Sequence, residues 1–158
     1  MSERGTVLAV CLNTGGGIPR QPQERVLITP AGVEGDFHAG EFDAHGRPNR
    51  RQVTVVGVES TEAVGADLNV EIPPGGLGEN ILVRGLGDLS ELVAGQRLRF
   101  STGVELEITG QNEPCNNLSV YHRLAVKKLY GRRGLLTIVS AGGELSPGDS
   151  VEVLAPSA

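Results

Sequence analysis

Glycine and proline interrupt this 158-residue chain so often that long helices cannot dominate its fold. The chain contains 23 glycines and 9 prolines, and only 3% of its residues are aromatic, so its core must consist mainly of valine, leucine and isoleucine. Short apolar runs bounded by turn residues predict a mostly β fold, a barrel or a sandwich, in one domain over residues 1–158. Strands are expected near residues 5–13, 24–29, 51–58, 79–84, 96–100, 104–110, 134–140 and 149–154.

Residues 101–103 are predicted to form the three-residue loop of a β-hairpin. In this register Arg99 faces Glu105 and Arg97 faces Glu107. The apolar side chains of the same segment then fall together on the opposite face. Charge and hydropathy therefore agree on one register, and we assign the hairpin a structural role only.

Two segments have the sequence features of helices. Residues 59–68 offer Ser60 or Thr61 as an N-terminal cap. Residues 116–130 are the stronger candidate, because their apolar side chains recur at helical spacing and Gly131 can end the helix. The apolar stripe consists of Leu118, Tyr121, Ala125 and Leu129.

The distribution of charge is more informative than its sum. The net charge of -5 argues against a nucleic-acid-binding protein, because such proteins present a basic surface to phosphates. Residues 114–143, however, contain five cationic side chains and no acidic one, which predicts either a site for an anionic small molecule or a solvated basic face. The five cations are Arg123, Lys127, Lys128, Arg132 and Arg133.

The sequence also gives an expectation about location. No apolar run approaches the ~18 residues of a membrane-spanning helix. The first residues include Glu3 and Arg4 and a short apolar run, and they do not have the pattern of a secretory leader. We therefore expect a cytoplasmic protein with neither a membrane partner nor a nucleic-acid partner.

The two cysteines lie in different settings, and a disulfide between them is not expected in a reducing cytoplasm. Cys11 lies in a continuous apolar strand, where a thiol packs as a small hydrophobic group. Cys115 follows Pro114 at the start of the second predicted helix, where the helix N-terminus and the downstream cations favour a thiolate. A thiolate can attack an electrophile or bind a soft metal. A structural loop cysteine is the alternative.

Residues 35–51 contain a second group of polar side chains. Asp36, His38, Asp43 and His45 carry atoms that bind metals, but their spacing matches no zinc pattern. We interpret Asp36 as a carboxylate that fixes a turn and His38 as a hydrogen-bonding group at the rim of a pocket. Forked donors for a phosphate or carboxylate are offered by Arg47, Arg50 and Arg51.

Seven motifs, in order along most of the chain, resemble the MOSC family, the domain found at the C-terminus of molybdenum cofactor sulfurases and in small stand-alone bacterial proteins. Cys115 falls on the single characteristic cysteine of that family, whereas Cys11 has no counterpart. The motifs are GVEGDFHAG at 32–40, RQVT at 51–54, GLGENI at 76–81, GQRL at 95–98, EPC at 113–115, GRRG at 131–134 and GGELSPGD at 142–149.

The resemblance implies a MOSC-like β-barrel of short strands with two or three short helices. It also implies that Cys115 either ligates the molybdenum of a pterin cofactor or carries sulfur as a persulfide. Asp36 and His38 would be further candidate catalytic residues in the same pocket. The residues that would hold the cofactor or another anion are Arg51, Asn80, Arg132 and Arg133, with a structural role as the alternative for Asn80.

Two classes of function follow from the resemblance. The first is an enzyme, either a molybdenum-dependent reductase of N-hydroxylated compounds or a sulfurtransferase acting through Cys115, with an external electron donor or sulfur donor protein. The second is a non-catalytic carrier of the pterin cofactor or of sulfur. An anion-binding β-domain with an inert Cys115 is a further alternative. Pyridoxal phosphate is not expected, because neither Lys127 nor Lys128 has a suitable sequence context.

Overall fold

The structure is a computed structural model that describes residues 4–157, and in that part of the chain it is mostly β. All eight predicted strands are present to within about two residues. Three further strands, at Gln21–Gln23, Gly32–Val33 and Gly143–Leu145, were not predicted. The strands are β1 (Arg4–Leu12), β2 (Gln21–Gln23), β3 (Val26–Thr29), β4 (Gly32–Val33), β5 (Val53–Gly57), β6 (Ile81–Arg84), β7 (Arg97–Phe100), β8 (Glu105–Gln111), β9 (Leu135–Ala141), β10 (Gly143–Leu145) and β11 (Ser150–Leu154).

Seven of the strands close into a barrel, which confirms the predicted fold class and decides between barrel and sandwich. Around the barrel the order is β1, β11, β7, β8, β9, β5 and β6, and β6 returns to β1. The barrel is closed by the antiparallel pair β1–β11, in which Arg4 lies opposite Glu152. Within the barrel, β5 and β6 are parallel, and the helix α1 (Val58–Leu68) lies between them in the chain. Strand β2 extends the sheet beside β1, and β10, β3 and β4 form a separate small sheet.

Strands β1, β5 and β6 are apolar on both faces, which explains their continuous hydrophobic runs. Successive side chains of a strand point to opposite faces. Val10 and Val55 accordingly pack inside the barrel, whereas Cys11 and Val56 pack in a second core between the barrel wall and the helical segments. The second core also contains Val64, Leu77, Leu82, Leu118, Ala125 and Leu129.

The hairpin of β7 and β8 has the predicted register. Arg99 lies opposite Glu105 and Arg97 opposite Glu107. The side chain of Arg97, however, makes its ion pair diagonally, with Glu105 at 2.6 Å. Phe100 and Val104 are buried, as the pattern predicts.

The helical predictions are correct in position but wrong in two details. Helix α1 begins without a side-chain cap, because its N-cap residue is Gly57 and neither Ser60 nor Thr61 takes that role. The single helix predicted over residues 116–130 is divided into a 3-10 helix (Asn116–Val120) and the four-residue helix α2 (Ala125–Lys128).

The division of the second helix has a local cause at His122. Its imidazole Nδ1 accepts a hydrogen bond from the backbone N–H of Leu124, 3.0 Å away, and its carbonyl oxygen accepts one from the N–H of Ala125. Side-chain bonds of this kind compete with helical backbone bonds. The long helix dipole that would act on Cys115 is therefore absent from the described chain, although the predicted apolar residues Leu118, Ala125 and Leu129 are all buried.

Candidate functional site

A cavity of about 320 Å³ brings together residues from distant parts of the chain. Cys115 lies at its edge and is exposed, whereas Cys11 is fully buried in the second core. Three guanidinium groups line the cavity, and its lining includes one carboxylate residue, Glu113. The polar and ionisable lining residues are Arg20, His38, Arg51, Asn112, Glu113, Cys115, Asn117 and Arg133.

The sulfur of Cys115 has two polar neighbours. Nη1 of Arg133 donates towards Sγ at 3.3 Å, and Sγ lies 2.7 Å from Oδ1 of Asn117. A thiol donates to an amide oxygen, and a rotation of the Asn117 amide by 180° would present its NH₂ group to a thiolate. Both neighbours can therefore stabilise a negatively charged sulfur.

Arg133 is held rigidly in its place beside the sulfur. It is 6% exposed, and its Nε and Nη2 donate to the carbonyl oxygen of Leu77. Nη1 also donates to the carbonyl oxygen of Glu113 at 2.9 Å, two residues before Cys115. The same guanidinium group thus fixes the loop that carries the cysteine and contacts the sulfur. Of the five cations of the basic segment, Arg133 is the one that lines this cavity.

A buried ion pair joins Arg20, which lines the cavity, to Asp36, which does not. Nε and Nη2 of Arg20 donate to the two carboxylate oxygens of Asp36 at 2.8 and 3.0 Å, and Nη1 donates to the carbonyl oxygen of Gly78. The side chains are 3% and 0% exposed. Burial raises the pKa of Asp36, but bonds from Arg20 and from the backbone N–H groups of Asn13 and His38 outweigh it, so the pKa lies below its usual range.

His38 lies between the buried pair and the cavity. Its Nδ1 is 2.8 Å from Nη2 of Arg20, and its ring is 3.9 Å from that of Phe37, centroid to centroid. Burial and the positive charges of Arg51 and Arg20 lower the pKa of His38 to about 4, against an opposing effect of Asp36. The imidazole is therefore neutral at pH 7. The predicted position at a pocket rim agrees with the structure.

The sequence model of the protein family called MOSC domain matches residues 34–152 of this chain. This segment contains the cavity residues Cys115, Arg133, His38 and Arg51. The chain belongs to the MOSC domain family.

This MOSC domain is similar to one sequence relative, whose structure is solved, and shares its fold with a second solved structure. It is 32% identical over 145 residues, 77% of this chain and 76% of the relative, to YuaD of Bacillus subtilis (strain 168), whose name assigns it provisionally to metal-sulfur cluster biosynthesis. The crystal structure of YuaD has a TM-score of 0.87 at 25% identity and covers 98% of this chain and 97% of its own. YiiM from Escherichia coli, at 19% identity, has a TM-score of 0.70 over 99% of this chain and 72% of its own, which shows the shared fold.

Several residues that the sequence suggested lie outside the cavity of the MOSC domain. Asn80 is 1% exposed and joins strands, because its amide donates to the carbonyl oxygen of Cys11 and accepts from the backbone N–H of Thr54. Arg132 donates through Nε to the carbonyl oxygen of Lys128 and does not line the cavity. For Asn80 these contacts agree with the structural alternative, and Arg132 likewise contacts the protein backbone away from the cavity.

Arg51 is the sequence-predicted cation that remains available at the cavity. Within residues 4–157, its guanidinium group makes no hydrogen bond or ion pair. Burial and the charges of Arg133 and Arg20 lower its pKa, although the group stays cationic at neutral pH. An anion in the cavity would relieve this repulsion among the three arginines.

Three residues of the site were missed from the sequence: Arg20, Asn112 and Asn117. Asn112 is 8% exposed and lines the cavity, and its side-chain amide makes no hydrogen bond within residues 4–157. Asn117 follows Cys115 by two residues, so the short spacing could have suggested it. Arg20 gave no local signal, because its partner Asp36 lies in a different segment.

A larger cavity than the one at Cys115 lies elsewhere and has a different character. It measures about 480 Å³ and lies beside helix α1, where it is lined by apolar residues such as Leu8, Val70 and Ile72. It contains neither cysteine nor any arginine. Among residues 4–157 there is also no helix both long and apolar enough to span a bilayer. Because the cavity beside α1 has neither a thiol nor a guanidinium group, the candidate site is the cavity at Cys115.

Proposed function

We propose that this MOSC domain has a role in the chemistry of the molybdenum cofactor or of sulfur, and that Cys115 is the residue that acts. The observation that carries the proposal is an exposed thiol beside a rigid guanidinium donor, in a cavity lined by Arg20, Arg51 and Arg133. Membership of the family and the name of YuaD support this general role.

The residues of the cavity fit a cofactor that combines a soft metal with a phosphate. Cys115 offers one soft sulfur ligand, and Arg51 offers a guanidinium fork to the phosphate. Residues 4–157 contain no cluster of three or more metal-binding side chains, so the remaining ligands would have to come from the cofactor itself. When bound, the molybdenum cofactor would supply a metal that accepts a thiolate ligand and exchanges electrons.

The protein's own contribution in this proposal is to hold the sulfur and the anion. Arg133 keeps the Cys115 loop in place and favours the negatively charged sulfur. Asn117 can donate to that sulfur after rotation of its amide. Arg51 binds the anionic part, and an external protein donates the electrons if the domain acts as a reductase of N-hydroxylated compounds.

The same geometry serves sulfur transfer. The Cys115 thiolate would attack the outer sulfur of a donor persulfide, so that a new S–S bond forms, the donor's S–S bond breaks and the donor leaves as a thiolate. The sulfane sulfur keeps its oxidation state, and no further oxidant is required. Arg133 would stabilise the persulfide anion on Cys115 after the transfer.

The test compares Cys115→Ala with Cys11→Ala, a control that also removes one thiol but outside the cavity. Each protein is purified from a host that makes the molybdenum cofactor, and its fold is checked by circular dichroism. Molybdenum is measured by elemental analysis. Bound sulfane sulfur is measured by mass spectrometry as an increase of about 32 Da, the mass of the one sulfur atom that a persulfide adds. We expect either molybdenum or sulfane sulfur in the wild type and in Cys11→Ala, and we expect it to be absent from Cys115→Ala. The absence of both from the wild type would refute the proposal.

A further inference from the structure

A second cavity, of about 280 Å³, adjoins the first and shares a wall with it. The shared wall consists of Phe37, His38 and Arg51, which line both cavities. We call these three residues the junction. A ligand that extends from Cys115 into the second cavity would contact the junction.

The hydrogen bonds beneath the junction fix the tautomer of His38. A guanidinium group has N–H donors and no acceptor, so Nη2 of Arg20 must donate to the imidazole Nδ1, 2.8 Å away. The lone pair of Nδ1 is used in this bond, and the proton of the neutral ring must then lie on Nε2. His38 Nε2 makes no hydrogen bond with residues 4–157, and the ring faces both cavities.

Asp36 holds this arrangement from below. Both of its oxygens bind Arg20, and one of them also accepts the backbone N–H of His38 at 3.1 Å. Asp36 and Arg20 are therefore positioning residues that set the orientation and the tautomer of the imidazole. The charged groups around the ring are Arg20, Arg51 and Asp36. Burial and the two arginines lower the pKa of His38, and the opposing charge of Asp36 does not outweigh them, so the ring is neutral at pH 7.

We infer that the junction is a binding site for an oxyanion, in which the Nε2–H of His38 and the guanidinium group of Arg51 donate to one phosphate or phosphate ester. Arg51 is the cation of the site without a protein partner among the described residues. The nearest carboxylate of the second cavity, Asp43, is already bound by Arg47 at 3.3 Å and by two backbone N–H groups. The inference assigns His38 as a neutral donor, and not as the general acid or base that a catalytic histidine would be.

This inference rests on the proposed function for the identity of the whole ligand, but its test does not require Cys115. The tautomer is measured on the full chain by ¹⁵N NMR of the histidine rings, with exposed His45 as the reference. We expect the proton of His38 on Nε2 at pH 7 and a shift of that nitrogen when inorganic phosphate is added. A proton on Nδ1, or a cationic ring at pH 7, would overturn the assignment even if every variant failed to fold.

Phosphate affinity provides the second measurement. His38→Phe removes the donor and is expected to weaken phosphate binding about tenfold, whereas His38→Gln keeps an N–H donor and should restore most of the affinity. His45→Phe, at an exposed histidine that lines neither cavity, should bind phosphate as the wild type does. The phosphate assay does not measure molybdenum or sulfur on Cys115, so a failure of the proposed function is distinguished from a failure at the junction. Equal affinity of the wild type and His38→Phe would show that the junction does not bind the anion.

Discussion

Removal of the buried cation Arg20 tests the physical basis of the site most directly. Arg20→Met keeps much of the side-chain volume but removes two bonds to Asp36 and one to the carbonyl oxygen of Gly78. The carboxylate of Asp36, 0% exposed, is then left without its counter-ion. Breaking a buried pair in this way costs about 3–5 kcal/mol of the free energy of unfolding. For a domain of this size that lowers Tm by about 6–20 °C.

The assay is urea denaturation at several pH values, with Arg84→Met as the control. Arg84 pairs with Glu62 at 3.1 Å, but both side chains are more than half exposed, at 52% and 57%, so the control should lose at most about 1 kcal/mol. An effect of Arg20→Met as small as that of the control would refute the reasoning.

The effect should also depend on pH. In the wild type the pKa of Asp36 is lowered in the folded state, so the pair stabilises the fold above the unfolded pKa of about 3.9 and this contribution is lost as pH falls through the folded pKa. In Arg20→Met, burial without the guanidinium raises the folded pKa, so the variant loses stability as pH rises above about 3.9. The difference between the two proteins should therefore shrink from pH 7 to about pH 4. A difference in the free energy of unfolding that stays constant between pH 7 and about pH 4 would contradict the conclusion that Arg20→Met leaves an unpaired buried carboxylate.

Two further predictions concern the cysteines and the backbone. Burial, followed by the charge of Glu79, raises the pKa of Cys11 to about 12, so mass spectrometry of the native protein treated with iodoacetamide at pH 8 should find Cys115 alkylated and Cys11 unmodified. Gly134→Ala should destabilise the fold by about 1–3 kcal/mol more than Gly148→Ala, measured by urea denaturation, because both glycines have positive φ but a Cβ at Gly134 would meet the carbonyl oxygen of Val55. Equal losses of stability in the two variants would contradict a steric clash at Gly134.

The barrel strands could be predicted because their information is local. In residues 97–107 the alternation of charged and apolar side chains and the length of the loop both specify the same register, and the structure has it. The three short strands escaped prediction for the opposite reason. Gly32–Val33, for example, has only two residues, and its pairing with Val26–Thr29 depends on the tertiary fold.

The site shows the same limit more clearly. Cys115 and Arg51 could be proposed from residue type and motif, and both line the cavity. Asn80 and Arg132 could not be separated from them in the same way, because a polar residue in a motif can equally satisfy a backbone group. Arg20 became visible only when the fold placed it against Asp36, since no sequence pattern states which cation a buried carboxylate will meet.

The pairing of the first and last barrel strands affects how the site is made in a growing chain. All the segments that line the Cys115 cavity are synthesised before β11, yet β1 has one open edge until β11 reaches it. Contacts between such distant parts of a chain form late, because the intervening loop must first be closed. We therefore expect the thiol and its arginines to take up their final arrangement only after β11 has paired with β1.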